Sequence, residues 1–156
     1  MPDPHPIVLF DGTCAFCDRT VRLLTRLDRR DVLRYAPLAS EAGRFLLDRF
    51  DVPESIDSIV LIHPNGRDDH ALVESNAAIA VARRLGFPWS LAAILKIIPR
   101  PLRDACYRFI ARHRYTVFGR VERCSLPTET QRRLVVETKE AAMGLIESDG
   151  GSERTP

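Results

Sequence analysis

A chain of 156 residues with 45% hydrophobic and 28% charged side chains has the length and balance of one ordinary globular domain built on one core. Its 23 basic against 21 acidic residues leave a formal charge of +2, too small for a global field that draws the protein to nucleic acid or an anionic membrane, so such a partner has to be argued locally. No run reaches the ~18 apolar residues of a membrane span. The opening MPDPHPIVLF lacks the basic and apolar regions of an export signal, and four cysteines are too few for a disulfide framework, so the sequence predicts a cytoplasmic, reducing setting.

Ile7 to Phe10 is a short apolar run that predicts a buried strand. An amphipathic helix follows at once, from about Cys14 to Asp28, with Cys17, Val21, Leu24 and Leu27 on one stripe and Arg19, Arg22, Arg26 and Arg29 mostly off it. Leu33 to Ala36 predicts a second strand, and Glu41 to Phe50 a second helix with Phe45, Leu46 and Phe50 inward. Ser58 to Ile62 is a β-branched strand, Asn65-Gly66 a strong hairpin signal, and Ala71 to Val73 a short return strand. Ser75 then caps a third helix running to about Leu85, with Ala78, Ile79, Ala82 and Leu85 inward. The order βαβαββα over residues 7–86 predicts an α/β fold with a mixed sheet and helices on its faces, because parallel strands need long crossovers and antiparallel neighbours only a turn.

Beyond residue 88 the pattern changes to apolar helical segments, about Trp89 to Ile98 and Leu102 to His113, separated by Pro99-Arg100-Pro101. They read as a helical extension packed on the sheet. Residues 1–127 therefore form one expected domain, with a core at 7–86 and an extension at 88–127. Residues 128–147 predict one more surface helix, and the tail SDGGSERTP at 148–156 predicts disorder.

Two chemical signals overlap in VLFDGTCAFC, Val8 to Cys17. Haloacid-dehalogenase-like phosphatases open with a strand ending in Asp-x-Asp-Gly-Thr, whose first aspartate attacks phosphorus. Here Leu9 occupies that place, and leucine neither attacks phosphate nor binds a hard cation, which sets phosphoryl transfer aside.

The second signal is Cys14-Ala15-Phe16-Cys17. Three residues apart at the start of a helix, the two side chains share a face with Cβ atoms ~5–6 Å apart, near the ~3.5–4.5 Å of a disulfide. A helix N-terminus stabilises a thiolate by ~0.3–1 kcal/mol, up to ~2 in favourable geometry. Cys14, on the expected exposed lip of the turn, is the candidate attacking thiol; Cys17, at the start of the apolar stripe, is the candidate resolving thiol. Asp11 either accepts the resolving thiol's proton or caps the helix, a role open to Thr13 as well. After the first strand of a βαβ pattern, Cys-x-x-Cys is the signature of a thioredoxin-like redox site.

The stretch LFDGTCAFCDRTVRLL resembles the DCC family of thiol-disulfide oxidoreductases, whose Asp, Cys and Cys match Asp11, Cys14 and Cys17. ESNAAIAVARRLG and IPRPLRDACYRFIARHRYTVFGRVERC are similar to its later blocks, so the likeness spans about residues 7–127. The resemblance implies a thioredoxin-like fold and disulfide exchange with a disulfide-containing protein or small molecule, recycled by an unidentified reductant or oxidant. No bound organic cofactor and no nucleic acid are required. Thioredoxins place a cis-proline before the hairpin's first strand, facing the cysteines; Ser58 stands there in this chain.

Zinc is the alternative use of the pair, and it wants four ligands, whereas Cys106 and Cys124 are single and only His113 or Cys124 is available to complete a site. Cys124 reads first as a half-buried core cysteine, with a third redox thiol as the alternative, and Cys106 as core. Arg100, Arg103, Arg108, Arg112, Arg114, Arg120 and Arg123 read as a solvated, salt-bridged face, with an acidic or phosphate-bearing partner as the alternative. His113, Tyr115 and Phe118 either line a pocket or anchor the extension. The competing function is a thioredoxin-like binding module whose cysteines are silent or hold zinc.

Overall fold

The structure is a computed structural model that describes residues 5–56, 58–64, 71–122 and 129–147. The Asn65-Gly66 turn, Arg123, Cys124 and the tail 148–156 lie outside the described residues.

Strand β1 (Ile7–Phe10) is buried along its whole length, and its continuous apolar run fits a central position in the sheet. It pairs in parallel with β2 (Arg34–Pro37) and antiparallel with β3 (Val60–Ile62), which pairs in turn with β4 (Ala71–Val73), giving the order β2-β1-β3-β4. The period-two alternation of β1 divides the core. Ile7 and Leu9 join Val60, Ile62, Leu46 and Leu47 on one face, beneath α2 (Glu41–Arg49). Val8 and Phe10 join Tyr35, Leu61, Val21, Ala77 and Val81 on the other, beneath α1 (Ala15–Leu27) and α3 (Glu74–Arg84). Each such side chain taken fully out of water contributes roughly 1.5–3 kcal/mol. The arrangement is a thioredoxin-like α/β fold, as expected from the sequence.

Local chemistry fixes the joins. Ser40 caps α2, its hydroxyl oxygen accepting the Gly43 N–H at 3.0 Å. Gly43 lets α2 close against the end of β2, since a Cβ there would lie 2.2 Å from the Pro37 carbonyl oxygen. The buried Asp28 carboxylate accepts the N–H groups of Val32 at 3.0 Å and Leu33 at 2.9 Å, which aims the chain into β2.

Several sequence expectations differ in detail. Helix α3 starts two residues early, with Val73 as the flanking residue, so Ser75 is inside the helix rather than its cap. Its hydroxyl is drawn instead to Asp104 on α4 (Arg100–Phe118), a buried tie between the two helices. The buried residues of α3 are Ser75, Ala77, Ile79 and Val81, while Ala78 is exposed. Residues Trp89–Ile97 form a 3₁₀ segment, and Pro101 lies within α4, not before it, because the first turn of a helix needs no N–H from its residues.

Residues 128–147 do not make one surface helix. They divide into α5 (Glu129–Arg133) and α6 (Lys139–Glu147), between which Val135 bridges to Tyr35 beside the open edge of β2. The apolar run Leu134-Val135-Val136 favours extended edge pairing, and Leu134, Val136 and Ala142 are buried in the core. Cys106 is exposed rather than core, because α4 turns Asp104, Tyr107 and Arg114 inward. Outward, α4 and the 3₁₀ segment expose Ile94, Ile97, Leu102, Phe109 and Val117. Among the described residues no helix is long and apolar enough to cross a membrane.

Candidate redox site

The turn from β1 to α1 is built by its own side chains. One oxygen of Asp11 accepts both the backbone N–H and the hydroxyl of Thr13, each at 2.8 Å, and the Cys14 N–H reaches the Asp11 carbonyl at 3.4 Å. These bonds deliver Cys14 in an extended conformation to the cap position of α1. There its sulfur takes the place a serine or aspartate oxygen fills in other helices and accepts the Cys17 N–H at 3.4 Å. The Asp11 side chain therefore caps the turn, and Cys14 itself caps the helix.

Helix α4 supplies the opposite wall. The Tyr107 hydroxyl oxygen is tied to the sheet by accepting the Ile59 N–H, just before β3, at 3.0 Å. The second oxygen of Asp11 accepts a hydrogen bond from the Tyr115 hydroxyl and, at 3.3 Å, from the buried Arg114 guanidinium, which also reaches the Tyr115 hydroxyl at 3.1 Å. Arg114 therefore departs from the expected solvated arginine face. Arg108 and Arg100 match that expectation, exposed and paired with Glu74 at 3.4 Å and Asp104 at 3.3 Å. Phe118 stacks tilted on Phe16 with ring centroids 4.9 Å apart, while His113 is exposed and bonded to the Phe109 carbonyl at 2.8 Å.

The sequence expectation of an exposed Cys14 is overturned: its residue exposure is 0%. The cause is the chain leaving α4. Gly119 adopts φ 76°, a left-handed conformation suited to glycine, and turns the backbone across the cysteine loop. The Ala15 N–H, otherwise an orphan of the helix start, reaches the Gly119 carbonyl at 3.3 Å, and the Val121 N–H reaches the Thr13 carbonyl at 2.9 Å. Gly119 to Val121 is thus a strap that pairs with both neighbours of Cys14, and Arg120 lies over the Tyr115 ring at 4.8 Å.

Cys17 is half-buried and faces a different space, a cleft of about 290 Å³ between α1, α3 and α4. Phe10, Phe16, Val21, Leu24, Ile59 and Ile110 make it apolar, and Asp11 and Arg114 stand at the same wall as Cys17. Ser58, counted to the cis-proline position, also lines this cleft.

The electrostatics separate the groups. Burial, then the contact with the Cys14 thiol and its charge, push the Cys17 thiol up to about 12. Burial works to raise the Asp11 carboxyl, but hydrogen bonds from Tyr115 and Thr13 and the Arg114 charge outweigh it and hold the group below the usual carboxylate range. Asp11 is accordingly a weak base. Among the described residues no group of three histidine, cysteine, aspartate or glutamate side chains is placed to hold a metal ion. Sequence reasoning missed Arg114 as a buried partner of Asp11 and the strap as a cover for Cys14. The Phe118-Gly119 helix end was a readable stop signal, but its docking on residues 13–15 is a long-range contact.

Residues 8–120 match the family model described as DCC1-like thiol-disulfide oxidoreductase. The uncharacterized protein YuxK of Bacillus subtilis is 35% identical over 131 residues, which cover 83% of this chain and 93% of that protein. A chloroplastic DCC family protein of Arabidopsis thaliana is 36% identical over 126 residues, covering 80% of this chain and 71% of that protein. No solved structure matches the chain.

Proposed function

For this chain, which belongs to the DCC1-like thiol-disulfide oxidoreductase family, we propose that Cys14 and Cys17 are the exchanging dithiol, Cys14 attacking and Cys17 resolving. The observation that carries the reading is the Cys17 N–H directed at the Cys14 sulfur across 3.4 Å at the start of α1, where the helix end favours negative charge. The Cys14 thiolate attacks one sulfur of a substrate disulfide, and the other sulfur leaves as a thiolate. Cys17 then attacks Cys14 in the mixed disulfide, releasing the second substrate thiol and leaving a Cys14–Cys17 disulfide. Two protein thiols are oxidised and one substrate disulfide is reduced.

The same geometry supports the order of events. The charge of Cys14 is one cause of the raised Cys17 pKa, and that charge disappears once Cys14 is bonded to substrate. Cys17 becomes easier to ionise at the step in which it attacks. Asp11, held ionised by α4, acts as a positioning residue: it ties Arg114 and Tyr115 to the cysteine turn, a role favoured over proton acceptance by its lowered pKa.

A redox titration of the purified protein in dithiothreitol buffers tests the reading, with mass spectrometry of alkylated peptides locating the bond. A reversible Cys14–Cys17 disulfide is expected. Thiols that stay reduced across the titration, or a bond between other cysteines, would sink it.

A further inference from the structure

We propose that the substrate of this site is a small apolar disulfide, one whose hydrocarbon body occupies the cleft beside Cys17; the inference rests on the exchange reading above.

Two routes lead towards the cysteine pair. The outer route is closed: Cys14 is fully buried, and the backbone groups on either side of it are already paired with the strap, Thr13 through the Val121 N–H and Ala15 through the Gly119 carbonyl. A protein substrate that docks as an extended peptide needs such unpaired backbone groups. The inner route is the cleft. Cys17 forms part of its wall, and Cys14, which does not line it, holds its sulfur 3.4 Å from the Cys17 backbone nitrogen.

The cleft's shape and chemistry select what enters. Its volume of about 290 Å³ is at the lower end of the ~300–1,000 Å³ of small-molecule sites. Its walls are aliphatic and aromatic, from Phe10, Phe16, Val21, Leu24, Ile59 and Ile110. The charged pair on its wall, Asp11 and Arg114, is bonded to itself and to Tyr115, so a charged or zwitterionic substrate would give up its hydration for walls that replace little of it. An alkyl disulfide loses apolar contact with water and keeps its sulfurs at the cysteine end. The reaction balances as before: two protein thiols become a disulfide while the alkyl disulfide becomes two thiols.

The test uses two linear disulfides of equal length, dipropyl disulfide and bis(2-hydroxyethyl) disulfide, which differ by methyl against hydroxyl. Oxidation rates of the fully reduced protein are measured with each, and their ratio is divided by the ratio that free dithiothreitol gives, which removes intrinsic reactivity. The expected result is a normalised preference of about tenfold or more for the propyl compound, equivalent to about 1.4 kcal/mol. Ala78→Phe, at the exposed cleft mouth, is expected to lower that preference several-fold. A normalised ratio near one, or a preference unmoved by Ala78→Phe in a variant whose melting temperature is retained, overturns the inference while leaving exchange intact. Failure of both disulfides to form the Cys14–Cys17 bond overturns the inference, and the exchange reading with it if the dithiothreitol titration forms no such bond either.

Discussion

The backbone N–H of Cys17 points at the sulfur of Cys14, 3.4 Å away, so the first cysteine of the motif caps the helix by accepting the N–H of the second. The two thiols are therefore unequal before any substrate arrives. On the proposed roles, Cys17→Ser is expected to accumulate a mixed disulfide on Cys14 when the protein meets a substrate disulfide, because the thiol proposed to attack remains and the one proposed to resolve is gone. Cys14→Ser is expected to accumulate none. Intact-mass spectrometry after quenching reads both; an adduct on Cys17 in Cys14→Ser, at the rate seen on Cys14 in the other variant, would reverse the roles.

Alkaline stability follows from burial. The Cys17 thiol rises from 9.0 to about 12 in the folded protein, so the folded chain keeps a proton that the unfolded chain releases. Its contribution is fully present below about pH 9 and is lost as pH climbs towards 12. Burial raises Tyr35 in the same direction, and its hydroxyl is buried without a hydrogen-bond partner among the described residues. Tyr35→Phe removes that unpaired group and is expected to stabilise the protein by about 1 kcal/mol and flatten the alkaline decline. Urea midpoints from pH 7 to pH 10.5 measure both effects, and an unchanged slope in Tyr35→Phe would refute the assignment.

Asp11 gives the acid counterpart. Its folded pKa is lowered, so its contribution is present above the unfolded value and is lost as pH falls through the folded one. Asp11→Asn removes the charge that partners Arg114 and replaces one of the two acceptor oxygens used by Thr13 and Tyr115 with an amide donor, and is expected to cost about 1–3 kcal/mol at neutral pH. The cost is expected to shrink as pH falls below the usual carboxylate range and through the lowered folded value, where the wild-type carboxylate is itself protonated. A loss that is equal at all pH values would show that the carboxylate charge contributes nothing.

The strap over the buried Cys14 is expected to make it a slow thiol for reagents arriving from solvent. Val121→Pro removes the N–H that bonds the Thr13 carbonyl at 2.9 Å. Loss of one such bond, worth about 1 kcal/mol, is expected to raise the rate of Cys14 alkylation by iodoacetamide several-fold. Peptide mass spectrometry distinguishes Cys14 from Cys17 and from the exposed Cys106. Equal Cys14 rates in the two proteins would mean that the strap does not limit access.

What the sequence by itself determined is local. Ile7 to Phe10 reads as a buried strand because four apolar residues in a row fit only a strand covered on both faces, and Cys14-x-x-Cys17 reads as a redox pair because the spacing of a helix puts both side chains on one side. The Ala71–Val73 return strand follows from the same short-range rules, since antiparallel neighbours need only a turn. Tertiary structure decided everything that depends on residues about a hundred positions apart. Cys14 is buried because Gly119 to Val121 cross it, Arg114 is interior because Asp11 neutralises it, and Val135 bridges to Tyr35 because β2 leaves an edge open to it. Such contacts carry no periodicity in the chain: an arginine in a helix has the same local signature whether its charge meets water or a carboxylate, and only the packed fold decides which.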